Sequence, residues 1–211
     1  MLPFFRVSEP ESRTRVASFR AGYTQVELIV MLAVLGLVIS ISIPSLWQLS
    51  ARLRLELACA EVASMLRLTQ SHAVRWSDRV GLKFHPAEGR VRWAIYRDGD
   101  GDGVRNADIR RGIDPAVTVL RNARHLGSAA WFGFPLGMRP RDPTDPRRRL
   151  DRLDDPIRFN RSDLAVFSDL GTATPGTLYL TNGQHLAAVR VNNRAGRVRV
   201  MFYDARQEIW R

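Results

Sequence analysis

Alternating aspartates in the middle of the chain are candidate metal ligands. Asp98, Asp100 and Asp102 stand at every second position, and each is followed by glycine. Carboxylates at this spacing supply the hard oxygen ligands that Ca²⁺ prefers, and the last glycine allows the sharp turn found at the sixth position of an EF-hand loop. Asp108 is the next carboxylate, but isoleucine occupies the twelfth position, where a bidentate glutamate is expected. The pattern predicts a calcium site from these four aspartates, and the alternative is an Asp-Gly turn without metal.

A second candidate site is a cluster of arginines near the C-terminus. Arg197 and Arg199 alternate with valines, so both are expected on the solvent face of one strand. Arg190 belongs to the preceding strand and Arg194 to the turn between the two strands. Guanidinium groups around one hairpin are suited to a phosphate backbone, and such binding weakens steeply with salt. The pattern predicts possible DNA binding; the alternatives are a solvated face or a patch that docks an acidic neighbouring subunit.

The motifs of the common enzyme classes are absent from the sequence. There is no G-x-S-x-G, P-loop, H-E-x-x-H or C-x-x-C pattern. The four histidines share no spacing, and the single cysteine excludes a disulfide framework. Cys59 falls on the apolar side of a predicted helix, where a cysteine usually acts as a small buried hydrophobe. We therefore expect a protein that is not an enzyme.

Glu27 is a lone carboxylate in a long apolar run. The run extends from Val26 to Leu46, and about 20 such residues match the hydrocarbon core of a bilayer. On these grounds alone the segment is a signal anchor or a secretory signal peptide, although no Ala-x-Ala site directly follows it. A carboxylate in such surroundings needs a partner. Cleavage after Gly22 would give Tyr23 a new α-amino group, and the amine of a neighbouring chain could then pair with Glu27.

The pattern beyond the apolar run predicts a helix followed by strands. Apolar residues recur every three or four positions to about residue 77, which is typical of an amphipathic helix: Leu55, Cys59, Val62, Leu66, Thr69, Ala73 and Trp76. After Asp78 the period changes to two, which predicts strands. The clearest lie at 80–84, 91–96, 157–159, 164–167, 177–180, 185–191 and 197–203, with shorter candidates at 117–120 and 130–134. Residues 137–156, rich in proline and charge, are expected to form a long loop.

Length and composition agree with one domain that carries an extension. The chain has 211 residues, 45% of them hydrophobic, which suffices for a sizeable core. Its formal net charge is +11, and nearly all of the basic residues are arginine. A basic excess of this size favours nucleic acid, anionic lipid or acidic proteins as partners, but only modestly.

The N-terminal region resembles a known export signal. A short basic leader and a long apolar helix flank the residues Gly22-Tyr23-Thr24-Gln25-Val26-Glu27-Leu28. This arrangement is similar to the prepilin-type (class III) signal of type IV pilins and type II secretion pseudopilins. The C-terminal residues 168–182, 188–191 and 196–200 resemble the C-terminal half of the GspH/FimT pseudopilins.

The resemblance implies a pilin-like α+β fold, in which a long N-terminal helix packs on an antiparallel β-sheet domain. Residues 1–22 would be a leader that prepilin peptidase removes between Gly22 and Tyr23, with N-methylation of Tyr23. Residues 23–47 would be the transmembrane half of the helix and 48–77 its amphipathic half. Residues 78–211 would form a β-rich periplasmic domain. The implied location is the bacterial inner membrane, crossed by a single segment.

The family also implies a function in assembly. The expected role is that of a minor pseudopilin, a structural subunit of the type II secretion pseudopilus, with other pseudopilins or pilins as partners. The alternative is a FimT-like type IV minor pilin that binds DNA through the basic C-terminal face, since DNA-binding members of that branch carry a G-R-x-R pattern near this place. Here the pattern is formed by Gly196, Arg197 and Arg199.

Overall fold

The structure is a computed structural model and describes residues 23–87, 90–122, 126, 129–160, 162–192 and 195–211. At 41–49, 86–87 and 90 only the backbone is described. The chain divides into two compact units, residues 1–44 and 45–211. The boundary falls within the first helix.

Helix α1 runs from Gln25 to Trp76 and has defined ends. At its start the Thr24 hydroxyl oxygen accepts a hydrogen bond from the backbone N–H of Glu27, 3.3 Å away, which is the geometry of a threonine N-cap. At its end Ser77 adopts a left-handed backbone with φ 51°, and the N–H of Asp78 donates to the carbonyl of Ala73 at 3.1 Å. These bonds satisfy backbone groups that a helix end otherwise leaves unpaired.

In the second unit α1 buries one side of its surface. The buried residues recur at three- and four-residue intervals, which is the spacing of one helix face: Leu55, Ala58, Cys59, Val62, Ala63, Met65, Leu66, Thr69 and Ala73. Trp76 is half-buried and stacks on His72 with ring centroids 4.4 Å apart. Burial also raises the pKa of the Cys59 thiol to about 12, so Cys59 is a packed apolar group at neutral pH.

The remaining elements are short strands and one short helix. In chain order they are β1 (Val80–Ala87), β2 (Arg90–Arg97), α2 (Asn106–Arg111), β3 (Arg121–Asn122), β4 (Trp131–Phe132), β5 (Ile157–Arg158), β6 (Leu164–Phe167), β7 (Gly176–Thr181), β8 (Leu186–Val191), β9 (Val198–Asp204) and β10 (Ile209–Trp210). The strands pair antiparallel throughout the described residues and form two sheets. One sheet has the order β3-β2-β1-β6, and the other has the order β10-β9-β8-β7-β4 with β5 also paired to β7.

Two apolar clusters hold the second unit together. The larger cluster contains the buried face of α1 and inward-facing residues of both sheets, including Leu82, Phe84 and Ile95 from the first and Leu180 and Val189 from the second. The smaller cluster lies on the opposite face of the second sheet. It joins Leu150, Tyr179, Leu186 and Ala188 to half-buried residues of the 134–153 segment and of β9 and β10. The second sheet is therefore covered on both faces.

The predicted fold class requires correction. Within the residues that the structure describes, no helix is both long and apolar enough to cross a membrane. This finding contradicts a pilin-like α+β fold with a transmembrane N-terminal helix, and it contradicts the predicted single-pass inner-membrane location. The observed architecture is mostly antiparallel β-sheet with helices.

Candidate functional site

The aspartate-rich loop after β2 brings three of the four predicted metal ligands together. Carboxylate oxygens of Asp98, Asp100 and Asp102 lie within 4.8 Å of one another. Asp108 does not join this group; it is buried in α2, where one of its oxygens lies 3.8 Å from the Arg111 guanidinium. Among the described residues this is the only group of three or more histidine, cysteine or acidic side chains that could hold a metal ion.

The loop is already organised by its own carboxylates. The buried Asp98 accepts hydrogen bonds from the backbone N–H groups of Gly101 at 2.8 Å, Gly103 at 2.7 Å and Asp100 at 3.3 Å. Asp114 closes the loop from the other side, where it accepts from the N–H of Gly99 at 3.1 Å and of Arg105 at 2.9 Å. Sequence reasoning missed Asp114, because it lies outside the alternating pattern and only the fold brings it near.

Asp102 has a different environment from Asp98. It is exposed and forms an ion pair with the Arg105 guanidinium. Desolvation raises the pKa of Asp102, the Arg105 charge opposes this, and the nearby Asp100 carboxylate adds to the increase. A divalent cation would relieve the repulsion between the carboxylates, so the predicted calcium site is chemically reasonable. It stays a prediction.

The predicted arginine cluster lies on the second sheet. Strand register places Arg158, Thr177, Arg190 and Arg199 opposite one another across β5, β7, β8 and β9. Directly paired residues share a face, so the three arginines form one row, which we call the arginine row. Their face is opposite the one that Val189 presents to α1. The next residue on this face of β9 is Met201, which belongs to the smaller apolar cluster.

The individual arginines differ in accessibility. Arg199 is exposed, and so is Arg197 just before β9. Arg190 is half-buried, and its guanidinium donates to the carbonyl oxygen of Pro143 at 3.2 Å. Arg194 lies outside the described residues. The structure thus places Arg190 and Arg199 side by side, with Arg197 two residues before Arg199.

Arg158 belongs to the same row and was not predicted as a site residue. Its guanidinium carbon lies 5.3 Å from the centroid of the Tyr179 ring and 5.9 Å from that of Phe134, within range of cation–π attraction. Its Nε donates to the carbonyl of Asp155 at 2.8 Å, whereas its Nη2 is buried without a hydrogen-bond partner among the described residues. Burial raises the pKa of the Tyr179 hydroxyl, so that ring stays neutral beneath the guanidinium. The signal in the sequence was the apolar–arginine–apolar alternation of residues 157–159.

The loop beside the arginine row is held by a glutamate clamp. Glu208 Oε2 accepts from the Arg141 guanidinium at 2.7 and 3.0 Å, and Oε1 accepts from Arg149 at 2.6 Å. Hydrogen bonds from Arg149 and Arg141 lower the pKa of Glu208 below its usual range. Trp210 adds a bond from its indole N–H to the Arg141 carbonyl at 2.7 Å. Residues 137–156, predicted as a loop, are therefore fastened to the β9–β10 hairpin.

The predicted processing and assembly residues lie at the start of α1. Gly22 lies outside the described residues, and Tyr23 is 72% exposed. Glu27 is also exposed and occupies the third position of the helix. Together with Thr24 it forms the T-x-x-E pattern of a capping box, where a carboxylate also interacts favourably with the helix dipole. This local role for Glu27 does not need a second chain.

The first unit exposes apolar side chains around the whole circumference of α1. Successive residues from Leu28 to Leu32 cover more than one helical turn, and each is at least half exposed. The larger exposed side chains of this segment are Val26, Leu28, Ile29, Val30, Met31, Leu32, Val34, Leu35, Leu37, Val38 and Ile39. We call them the apolar collar. A contiguous apolar surface of this kind marks an interaction site.

Comparison with known proteins adds no relative. No protein-family model, curated protein or solved structure matches this chain.

Proposed function

We propose that this chain is a structural assembly subunit whose α1 packs against the α1 helices of other subunits. The observation that carries the proposal is the apolar collar, which is exposed on every side of α1. A helix that is apolar all round is normally buried in a larger apolar environment. In an isolated chain the collar would remain in contact with water.

The two parts of α1 differ in a way that fits such an assembly. From Leu55 to Ala73, α1 alternates between buried and exposed positions, because one face packs within its own chain. The described collar residues, by contrast, have no such division into a buried and an exposed face. Burial of apolar area contributes about 25 cal/mol per Å², so helix–helix packing between subunits would be strongly favourable.

Within this proposal the resemblance favours the minor-pseudopilin role in a type II secretion pseudopilus. The support is the Gly22–Tyr23 junction, the position of Glu27 and the C-terminal segments named above. Co-expression with a prepilin peptidase tests this part. The product should begin at Tyr23 and carry one added methyl group, as read by N-terminal sequencing and intact mass. A product that begins elsewhere would contradict the pseudopilin assignment.

Self-association of the purified full chain tests the assembly role. We expect oligomers by analytical ultracentrifugation, and we expect Leu32→Glu to shift the population to monomer by placing a charge within the collar. Leu136→Glu is the matched control, because Leu136 is fully exposed but lies in a loop of the second unit. If the Leu32→Glu chain associates as strongly as the unmodified chain, helix packing through the collar is wrong.

A further inference from the structure

Strand β9 has an unpaired outer edge over its first half. On its inner side β9 pairs with β8 from Val198 to Phe202. On its outer side β10 pairs only with Tyr203 and Asp204, and Arg211 exchanges two backbone hydrogen bonds with Phe202. Among the described residues no strand pairs with the outer side of β9 before Phe202.

The register shows which backbone groups point outward at this edge. The N–H of Asn192 donates to the carbonyl of Arg197, so these two residues form a hydrogen-bonded pair. In an antiparallel ladder such pairs alternate with non-bonded pairs, which places Arg199 among the residues bonded to β8. Val198 and Val200 must therefore direct their N–H and C=O groups outward. Among the described residues these two donors and two acceptors bond to no other strand, so they are available to a partner strand.

This edge also carries an uncompensated positive charge. Arg197 and Arg199 are exposed, and within the described part of the chain neither has an acidic partner. Arg199 is directly opposite Arg190, and like charges in that position repel each other. Arg158 extends the row. A carboxylate placed beside Arg197 and Arg199 would relieve this repulsion.

We propose that the outer edge of β9 binds an extended acidic segment of a partner protein as an added strand. Main-chain bonds would form to Val198 and Val200, while alternate acidic side chains of the segment would face Arg197 and Arg199. Binding of an extended peptide to a sheet edge combines these two sources of affinity and specificity. Duplex DNA would use the guanidinium groups but not the outward backbone groups, so the edge favours a peptide over a nucleic acid.

Fluorescence anisotropy with the full-length protein tests the proposal. The probe is a labelled peptide of alternating valine and glutamate, and the matched control is the valine–lysine peptide. We expect only the acidic peptide to bind, and we expect R197E/R199E to abolish its binding. Val200→Pro removes one outward N–H, and an edge strand tolerates proline at a position whose N–H points away from the sheet. It should weaken binding about tenfold relative to Val200→Ala, which reports the lost side-chain packing alone.

Hydrogen exchange of the unmodified protein provides a measurement that does not depend on any variant. The Val198 and Val200 amides should become protected when the acidic peptide binds. Lack of protection would overturn the proposal, as would equal binding by Val200→Pro and Val200→Ala. Arginine-dependent binding of duplex DNA without binding of the acidic peptide would also overturn it and would assign the arginines to DNA. The edge and the apolar collar share no residue, so either idea can fail alone.

Discussion

At the residue scale, Asp98 differs from the aspartates beside it. It is only 7% exposed and accepts three backbone hydrogen bonds, whereas Asp100 and Asp102 are exposed. Hydrogen bonds that a carboxylate accepts contribute more to stability than bonds between neutral groups, and Asp98 accepts three of them at once. Asp98 is therefore a structural residue of the loop irrespective of any metal.

Replacement of Asp98 tests this role. We expect Asp98→Ala to lower the free energy of unfolding by about 1–3 kcal/mol, because Gly101 and Gly103 lose their acceptor. Asp100→Ala is the matched control and should change it by less than about 0.5 kcal/mol, as for most exposed sites. Urea unfolding in a chelator measures both. Equal losses for the two variants would contradict the structural role of Asp98.

The calcium prediction is tested with the same two proteins. If Asp98, Asp100 and Asp102 hold a calcium ion, millimolar calcium should raise the urea midpoint, since a ligand of the folded state stabilises it. Asp100→Ala should remove this increase although it leaves the calcium-free stability nearly unchanged. An unchanged midpoint of the unmodified protein in calcium would leave the Asp-Gly turn as the correct interpretation.

The Glu208 clamp predicts that the attachment of the 137–156 loop to the β9–β10 hairpin depends on pH. The pKa of Glu208 is lowered in the folded protein. Its contribution to the stability of the fold is therefore complete above the ordinary glutamate pKa of about 4.3, and it is lost as the pH falls through the lower folded value. The indole N–H resonance of Trp210 should therefore shift in acid. Glu208→Gln should show a shifted resonance already at neutral pH. Asp154→Asn, an exposed change in the same loop, should behave like the unmodified protein; identical titrations for all three would refute the clamp.

At the scale of elements, α1 offers a direct comparison between buried and exposed leucines two residues apart. Leu66 is fully buried in the larger apolar cluster, whereas Leu68 is 44% exposed. Leu66→Ala should cost about 2–5 kcal/mol, since it removes buried methyl groups and leaves a cavity. Leu68→Ala should cost less than about 1 kcal/mol. Urea midpoints for the two variants check this, and similar losses would mean that the assigned helix face is wrong.

Sequence patterns predicted those elements whose periodicity extends over several residues. The alternation around Leu82 and Ile95 corresponds to the antiparallel pair β1 and β2, and that around Val189 and Val200 corresponds to β8 and β9. In each of these strands alternate residues face the larger apolar cluster, and in β8 the residues between them face the smaller cluster, so packing imposes the period on the sequence. The three- and four-residue spacing from Leu55 to Ala73 matches the buried side of α1 for the same reason.

Other features left no periodic signal. Helix α2 has six residues, too few to show a helical period, and its N-cap Arg105 makes no side-chain capping bond. Strands β3 and β10 have two residues each and exist through the partner strands that tertiary packing brings beside them, whereas the equally short β4 and β5 lie within the predicted strands at 130–134 and 157–159. The sequence predicted a strand at 117–120, whereas the structure has the short strand β3 just after it. Arg158 was overlooked because its role depends on Tyr179 and Phe134, which only the fold brings near.

At the scale of the whole molecule, the two units have opposite relations to solvent. The second unit buries its apolar residues in two clusters, whereas the described part of the first exposes the apolar collar. In the proposed assembly, the α1 helices of other subunits would cover this apolar surface. Glu27 is the one charged residue in that surface, so its role decides how such helices could be aligned.

Two substitutions at the start of α1 separate capping from pairing between subunits. Thr24→Ala removes the acceptor of the Glu27 N–H and should weaken only the first helical turn, by about 1 kcal/mol. Glu27→Gln keeps a side chain suited to a capping box but removes the charge. If Glu27 pairs with the amine of a neighbouring Tyr23, Glu27→Gln should greatly reduce self-association of the processed chain, because an unpaired ammonium among apolar helices is costly. Thr24→Ala should assemble nearly normally. Sedimentation of both variants, with helix content checked by circular dichroism, distinguishes the two roles: normal assembly of Glu27→Gln would reduce Glu27 to a capping residue.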